Sequence, residues 1–166
     1  MITSKIKVRE HICEYAIGKF GDEFSNPVKI PSNYDLYHVV WDLVARRPHD
    51  RLIDSGNLEI VIPNRQAHQS AITLSGKNPE TFNYFSDRSA KIIDYKLETM
   101  MFAELHDLLD ENKHRKGIEF QVTVHIFINK YNITSITEDA LLKNYYRWRK
   151  KVKRLATKRK YERQIV

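Results

Sequence analysis

The chain has one cysteine, Cys13, in 166 residues, which excludes an internal disulfide and any zinc site built from several thiolates. Cys13 falls in an amphipathic stretch, where a small packed thiol is expected. Glycine and proline are scarce too, at five each, so neither a fibrous repeat nor a Pro/Gly-rich disordered chain fits. No apolar run approaches the roughly 18 residues that span a bilayer. The opening stretch MITSKIKVREHICEYAIGKF also lacks the apolar centre of a signal peptide. A cytoplasmic protein with no membrane partner is the expectation.

Signatures of catalysis are missing as well. The chain has no phosphate loop, Rossmann glycine pattern, nucleophile elbow or His-Glu-x-x-His pair. Its seven histidines are scattered; His38 and His125, set among apolar residues, read as packed core histidines. Asp35, Asp42, Asp87, Asp94, Glu98 and Glu104 fall mostly on polar helix faces and make no constellation for metal-assisted hydrolysis. Tyr145, Tyr146 and Tyr161 have no His-x-x-Arg before them, as tyrosine-recombinase chemistry would need. The expectation is a non-enzyme with no metal and no cofactor.

What is present is a core and a charge asymmetry. Apolar residues make up 42% of the chain, enough for one folded domain of this length. The net charge is +7, and it is unevenly placed: residues 137–166 hold 11 Lys/Arg against Glu138, Asp139 and Glu162, while the preceding 136 residues are close to neutral. An excess of one sign confined to one segment points to an anionic polymer or surface as partner.

Hydrophobic periodicity gives the elements. Residues 5–20 carry the stripes Ile6/Cys13/Ile17/Phe20 and Val8/Ile12/Tyr15/Ala16, which predict a helix ended by Gly21. A second helix, capped by Ser32 or Asn33 and stopped by Pro48, is predicted to bury Leu36, Val39, Val40, Leu43 and Val44. The β-branched run 58–62 is predicted to pair with 28–30 as a small two-stranded ribbon. Residues 64–77 read as a long polar loop and a possible groove-contacting arm. From Pro79 a short helical piece with Phe82 and Phe85 is followed by a longer one striped by Ile93, Leu97, Met100, Met101, Leu105, Leu108 and Leu109. Residues 118–131 fit both a strand and a helix; helix is preferred because Tyr131-Asn132 resembles a helix ending on an Asn. Thr137-Glu-Asp then caps and charges the start of a last helix, along which Leu141, Tyr145, Trp148, Val152 and Leu155 repeat as a body-facing stripe. The expected fold is mainly α, or α+β with a minor two-stranded ribbon: one domain over 1–155 and a basic tail over 156–166.

Within that domain, 118–155 forms a helix, a short connection and a second helix, the arrangement of a helix-turn-helix. The second helix places Lys143, Arg147, Lys150 and Arg154 opposite its apolar stripe, flanked by Arg149, Lys151 and Lys153. In major-groove docking, Thr137, Lys143, Asn144 and Arg147 are the candidate base contacts, since Asn pairs with adenine and Arg or Lys with guanine. Arg149, Lys150, Lys153, Arg154, Lys158, Arg159 and Lys160 are the candidate phosphate contacts. Glu138 and Asp139 at the helix start would repel a phosphate and shift the docking toward the helix centre. The plain alternative is a solvated helix whose charges serve solubility; docking on acidic lipid fits less well because the Tyr/Trp stripe reads as core.

The segment 127–133, FINKYNI, followed by 137–149, TEDALLKNYYRWR, resembles small helix-turn-helix proteins carried by bacterial phages and other mobile elements. The resemblance covers the last quarter of the chain and implies DNA binding as a regulator or accessory factor, with a homodimer as a possible form. RNA remains open as the nucleic acid. So does a structural or assembly role, such as a phage component, in which the basic segment meets an acidic protein partner.

Overall fold

The computed structural model describes residues 1–50, 54–64 and 77–162, with side chains up to Ala156. Its elements run β1 (Thr3–Ile6), α1 (Glu10–Phe20), a 3-10 turn (Asp22–Phe24), α2 (Asp35–Leu43), β2 (Ala45–Arg46), β3 (Leu58–Val61), β4 (Phe82–Tyr84), α3 (Asp87–Arg115), α4 (Phe120–Tyr131) and α5 (Glu138–Glu162). The architecture is mainly helical with a minor β part, as the composition and periodicity predict, but the β part is two small antiparallel strand pairs and not one ribbon. The loop expected over 64–77, with its proposed groove arm, lies almost wholly outside the described residues.

The chain groups into two compact units. Met1–Met101 with Tyr131–Ile133 form one; Phe102–Lys130 with Thr134–Val166 form the other. Helix α3 gives its first half to the first unit and its second half to the other.

In the first unit, β3 pairs antiparallel with β1, Thr3 opposite Val61 and Ile6 opposite Leu58. The predicted partner 28–30 contributes only a parallel bridge at Val28, whose N–H donates to the Glu59 carbonyl at 2.8 Å. The true partner is hidden in the sequence because Lys5 and Ile6, the second half of β1, fall inside the stretch 5–20 whose stripes predict a helix. Ser4 and Ile6 are both buried there, an alternation too short to stand out against the helical stripe that Ile6 also fits. Helix α1 therefore starts at Glu10, and it ends at Gly21 as predicted. Gly18 in its interior is required by close approach: a Cβ there would stand 2.6 Å from the Tyr131 carbonyl oxygen.

Two further expectations change. Helix α2 begins after Tyr34 with no side-chain cap from Ser32 or Asn33, and it ends at Leu43, well before Pro48, because the chain turns into β2. Lys77 closes that end in place of a capping residue, its ammonium donating to the carbonyls of Trp41, Asp42 and Val44 at 2.8, 2.8 and 3.0 Å. The residues expected as a short helical piece around Phe82 form β4, paired with β2. Arg47 ties this pair to the rest of the unit, with both guanidinium arms on Asp54 at 2.6 and 2.8 Å. Arg9, before α1, bonds Asp94 and Glu98 on α3, so two of the acids weighed as catalytic are instead ion-paired.

In the second unit, the end of α3, α4 and α5 pack on one another around Leu105, Leu109, Val124, Phe127, Leu141 and Tyr145, all buried. The ambiguous segment is helical, as preferred, and Asn132 after it takes the left-handed conformation at φ 51°. Gly117, at φ 67°, turns the chain between α3 and α4 so that the Ile118 N–H reaches the Asn112 carbonyl at 2.9 Å. The buried Asn112 amide donates to Thr123 Oγ1 at 3.2 Å, which joins α3 to α4. Helix α5 does not stop near Leu155 but continues to Glu162, through most of the segment expected as a tail.

Candidate nucleic-acid interface

Helix α5 starts where the sequence predicts. Thr137 Oγ1 accepts the Ala140 N–H at 3.3 Å, and Glu138 and Asp139 occupy the first turn, where carboxylates favour the positive end of the helix dipole. Glu138 also accepts from His125 Nδ1 on α4 at 3.0 Å. His125 is thus an exposed partner of a carboxylate and not a core histidine, and His38 is exposed as well.

Among the described residues the buried histidine is His106 on α3, which falls outside the apolar stripe of that helix. Its Nε2 donates to Asn144 Oδ1 on α5 at 2.9 Å, and the Trp148 ring stacks on it at 4.5 Å between centroids. Burial holds its pKa below the ordinary histidine value, against the opposing pull of the Asn144 bond and of Asp110 and Asp107. One helical turn further on, the Tyr145 hydroxyl donates to Asp110, and burial together with that bond pushes the phenol up to about 12. His106 and Asp110 fix the rotation of α5 about its own axis. The Asn144 amide is thereby engaged within the protein, although the sequence placed it among the base contacts. Nothing in the local sequence of α3 marks His106 for this part, since its hydrogen-bond partner Asn144 lies 38 residues away.

The apolar stripe of α5 splits in two. Leu141 and Tyr145 are fully buried and Trp148, 36% exposed, packs inward through its stack on His106, but Val152 is 44% and Leu155 52% exposed, so the expectation that all five face the body fails for the last two. The first turns of α5 are packed, and the apolar side chains of the later turns, Val152 and Leu155, are exposed.

The candidate cations are therefore displayed on a helix fixed at its start. Lys143 is exposed but held by Asp139 one turn back at 2.6 Å, and Thr137 is occupied as the cap. Arg149 is half-buried, close enough to Tyr145 to influence its phenol. Arg147, Lys150, Lys151 and Arg154 are all at the surface, and none makes an ion pair among the described residues. Lys153 is exposed too. Lys158, Arg159 and Lys160 lie on the last turns of the helix, and their side chains fall outside the described residues. Of the four expected base contacts, Arg147 alone is exposed with no partner among the described residues.

Among the described residues no three His, Cys, Asp or Glu side chains come together as a metal site, and no helix is long and apolar enough to cross a membrane. The Cys13 thiol is buried, and burial pushes it up to about 11, which keeps it protonated and unreactive at neutral pH. The chain matches no family model, no curated protein and no solved structure.

Proposed function

We propose that the chain binds nucleic acid, duplex DNA first, through the exposed cationic face of α5. The observation that carries this reading is the set Arg147, Lys150, Lys151 and Arg154, exposed and without ion pairs among the described residues. Solvated cations of this kind release condensed counterions when they meet phosphates, which makes binding favourable and salt-sensitive. From Arg147 to Arg154 the helix rises about 10 Å, roughly three base-pair steps, at 1.5 Å per residue. Duplex DNA is preferred to duplex RNA because a helix enters the wide major groove of B-DNA, whereas that of A-form RNA is deep and narrow. The resemblance of 127–149 to helix-turn-helix proteins of phages and mobile elements supports a regulator or accessory factor.

With Asn144 engaged by His106 and Thr137 by the cap, phosphate contacts outnumber base contacts, so affinity exceeds sequence discrimination in this reading. The test is fluorescence anisotropy of a labelled random duplex with the wild-type chain and with the triple variant Arg147→Gln/Lys150→Gln/Arg154→Gln. The expected result is a large loss of affinity with an unchanged far-UV spectrum. Equal affinity of the two proteins would remove α5 as the contact.

One observation favours a second reading, a non-enzymatic assembly protein meeting an acidic protein partner. Val152 and Leu155 are exposed beside cations, as an apolar and acidic partner surface would require. Absence of binding by the wild-type chain to duplex and to single strands selects it.

A further inference from the structure

We infer that the cationic face of α5 also holds a seat for one unpaired nucleobase, formed by Tyr146 above a concavity it shares with Phe120. The inference rests on the nucleic-acid reading and adds to its phosphate contacts a seat that only an unpaired base can use.

Tyr145 and Tyr146 are neighbours with opposite fates. The first is fully buried, while the second is 50% exposed. Its ring is steadied by an edge-to-face contact with Phe120 at 6.1 Å and 84°, so it is held in place with part of its surface open. At 100° per residue, Tyr146 lies between Lys153 on one side and Lys150, Lys143 and Arg154 on the other, within the charged face and away from the Leu141/Tyr145 stripe. An exposed aromatic among surface cations is the combination by which proteins hold single strands, with bases on rings and phosphates on cations.

The concavity beside it has a volume of about 390 Å³ and includes Lys113, Glu119, Phe120, Asp139 and Lys143 in its lining. The two lysines are matched by two carboxylates, and Lys143 is already bound to Asp139 at 2.6 Å. Such a lining repels a phosphate as much as it attracts one, yet it accepts a flat neutral ring. Phosphates are left to Lys150, one helical turn further on and unpaired among the described residues. A duplex keeps its bases stacked and meets only the cations; a single strand adds a base–tyrosine stack at no unpairing cost. Tyr146 is therefore a binding residue that discriminates unpaired from paired strands. DNA and RNA present the same π-face, and the experiment distinguishes them.

The full chain is titrated into labelled oligothymidine, oligouridine and a mixed-sequence duplex of equal length, alongside Tyr146→Ala, Tyr146→Leu and Tyr146→Phe. Leucine keeps apolar contact with Phe120 but removes the ring, so it serves if the alanine variant is unstable. The expected result is about a tenfold loss on single strands for the alanine and leucine variants, retention for phenylalanine, and no change on the duplex. Loss on both single strands assigns the seat to either polymer; loss on one assigns it to that polymer. Photocrosslinking of the wild-type chain to 5-iodouracil-substituted strands is expected to label residue 146. Single-strand binding unaffected by Tyr146→Leu, or reduced equally on the duplex, would overturn the base seat while leaving the phosphate-binding reading intact. Failure of the wild-type chain to bind any of the three would overturn both.

Discussion

The two halves of α5 share one spacing of apolar residues and differ in what that spacing does. Leu141 and Tyr145 are sealed against the second unit, whereas Val152 and Leu155 continue the same register into solvent. Periodicity reports which residues share a face of a helix; it does not report how far the neighbouring elements extend to cover that face. The first half of α5 is thus structural, held by Leu141, Tyr145 and the His106–Asn144 bond. The second half carries Arg147, Lys150, Lys151 and Arg154 at the surface, with no ion pair among the described residues.

The largest expected effect breaks the structural half. Tyr145→Ala empties a fully buried position and strands the Asp110 carboxylate, and it should cost about 3–5 kcal/mol, read as a fall in the urea midpoint. Next, the triple variant of Arg147, Lys150 and Arg154 should lower duplex affinity on the order of a hundredfold at low salt while leaving the urea midpoint unchanged. Reversal of those two outcomes would erase the distinction between the halves.

A smaller effect tests the join at His106. Its folded pKa is depressed, so as pH falls through the unfolded value near 6.5 the unfolded chain takes up the proton first, and stability is lost on acidification. His11, also depressed chiefly by burial, contributes in the same direction. Thermal melts at about pH 7.5 and about pH 5.5 should therefore show a drop in Tm, smaller in His106→Gln than in the wild type. An identical drop would mean that His106 does not contribute. The smallest effect belongs to the exposed half of the stripe: Val152→Ser and Leu155→Ser should each change stability by no more than about 0.5 kcal/mol in denaturant titration.

The same contrast marks what could be read from the sequence. The start of α5 was legible because capping is local: Thr137, Glu138 and Asp139 sit within one turn of the groups they serve. Asn132 at the end of α4 was legible for the same reason. Strand β1 was not, because four residues offer too few alternations and its partner β3 lies some fifty residues away. Strand β4 was missed likewise, its pairing with β2 having no local signature. At the candidate site, the charge of α5 was legible residue by residue. The inward pull on Asn144 was not, because it depends on His106, which enters α5's surroundings only through the packing of α3. Tyr146 stands among cations in the sequence, but its exposure beside a buried Tyr145 is a property of the fold.

The most direct measurement of the central claim is the salt dependence of duplex affinity for the wild-type chain and the triple variant. Binding through Arg147, Lys150 and Arg154 predicts a log–log slope shallower by about 0.9 for each phosphate contact removed, or about 2.7 in all. Parallel lines for the two proteins would contradict it and place the nucleic-acid contact, if there is one, elsewhere on the chain.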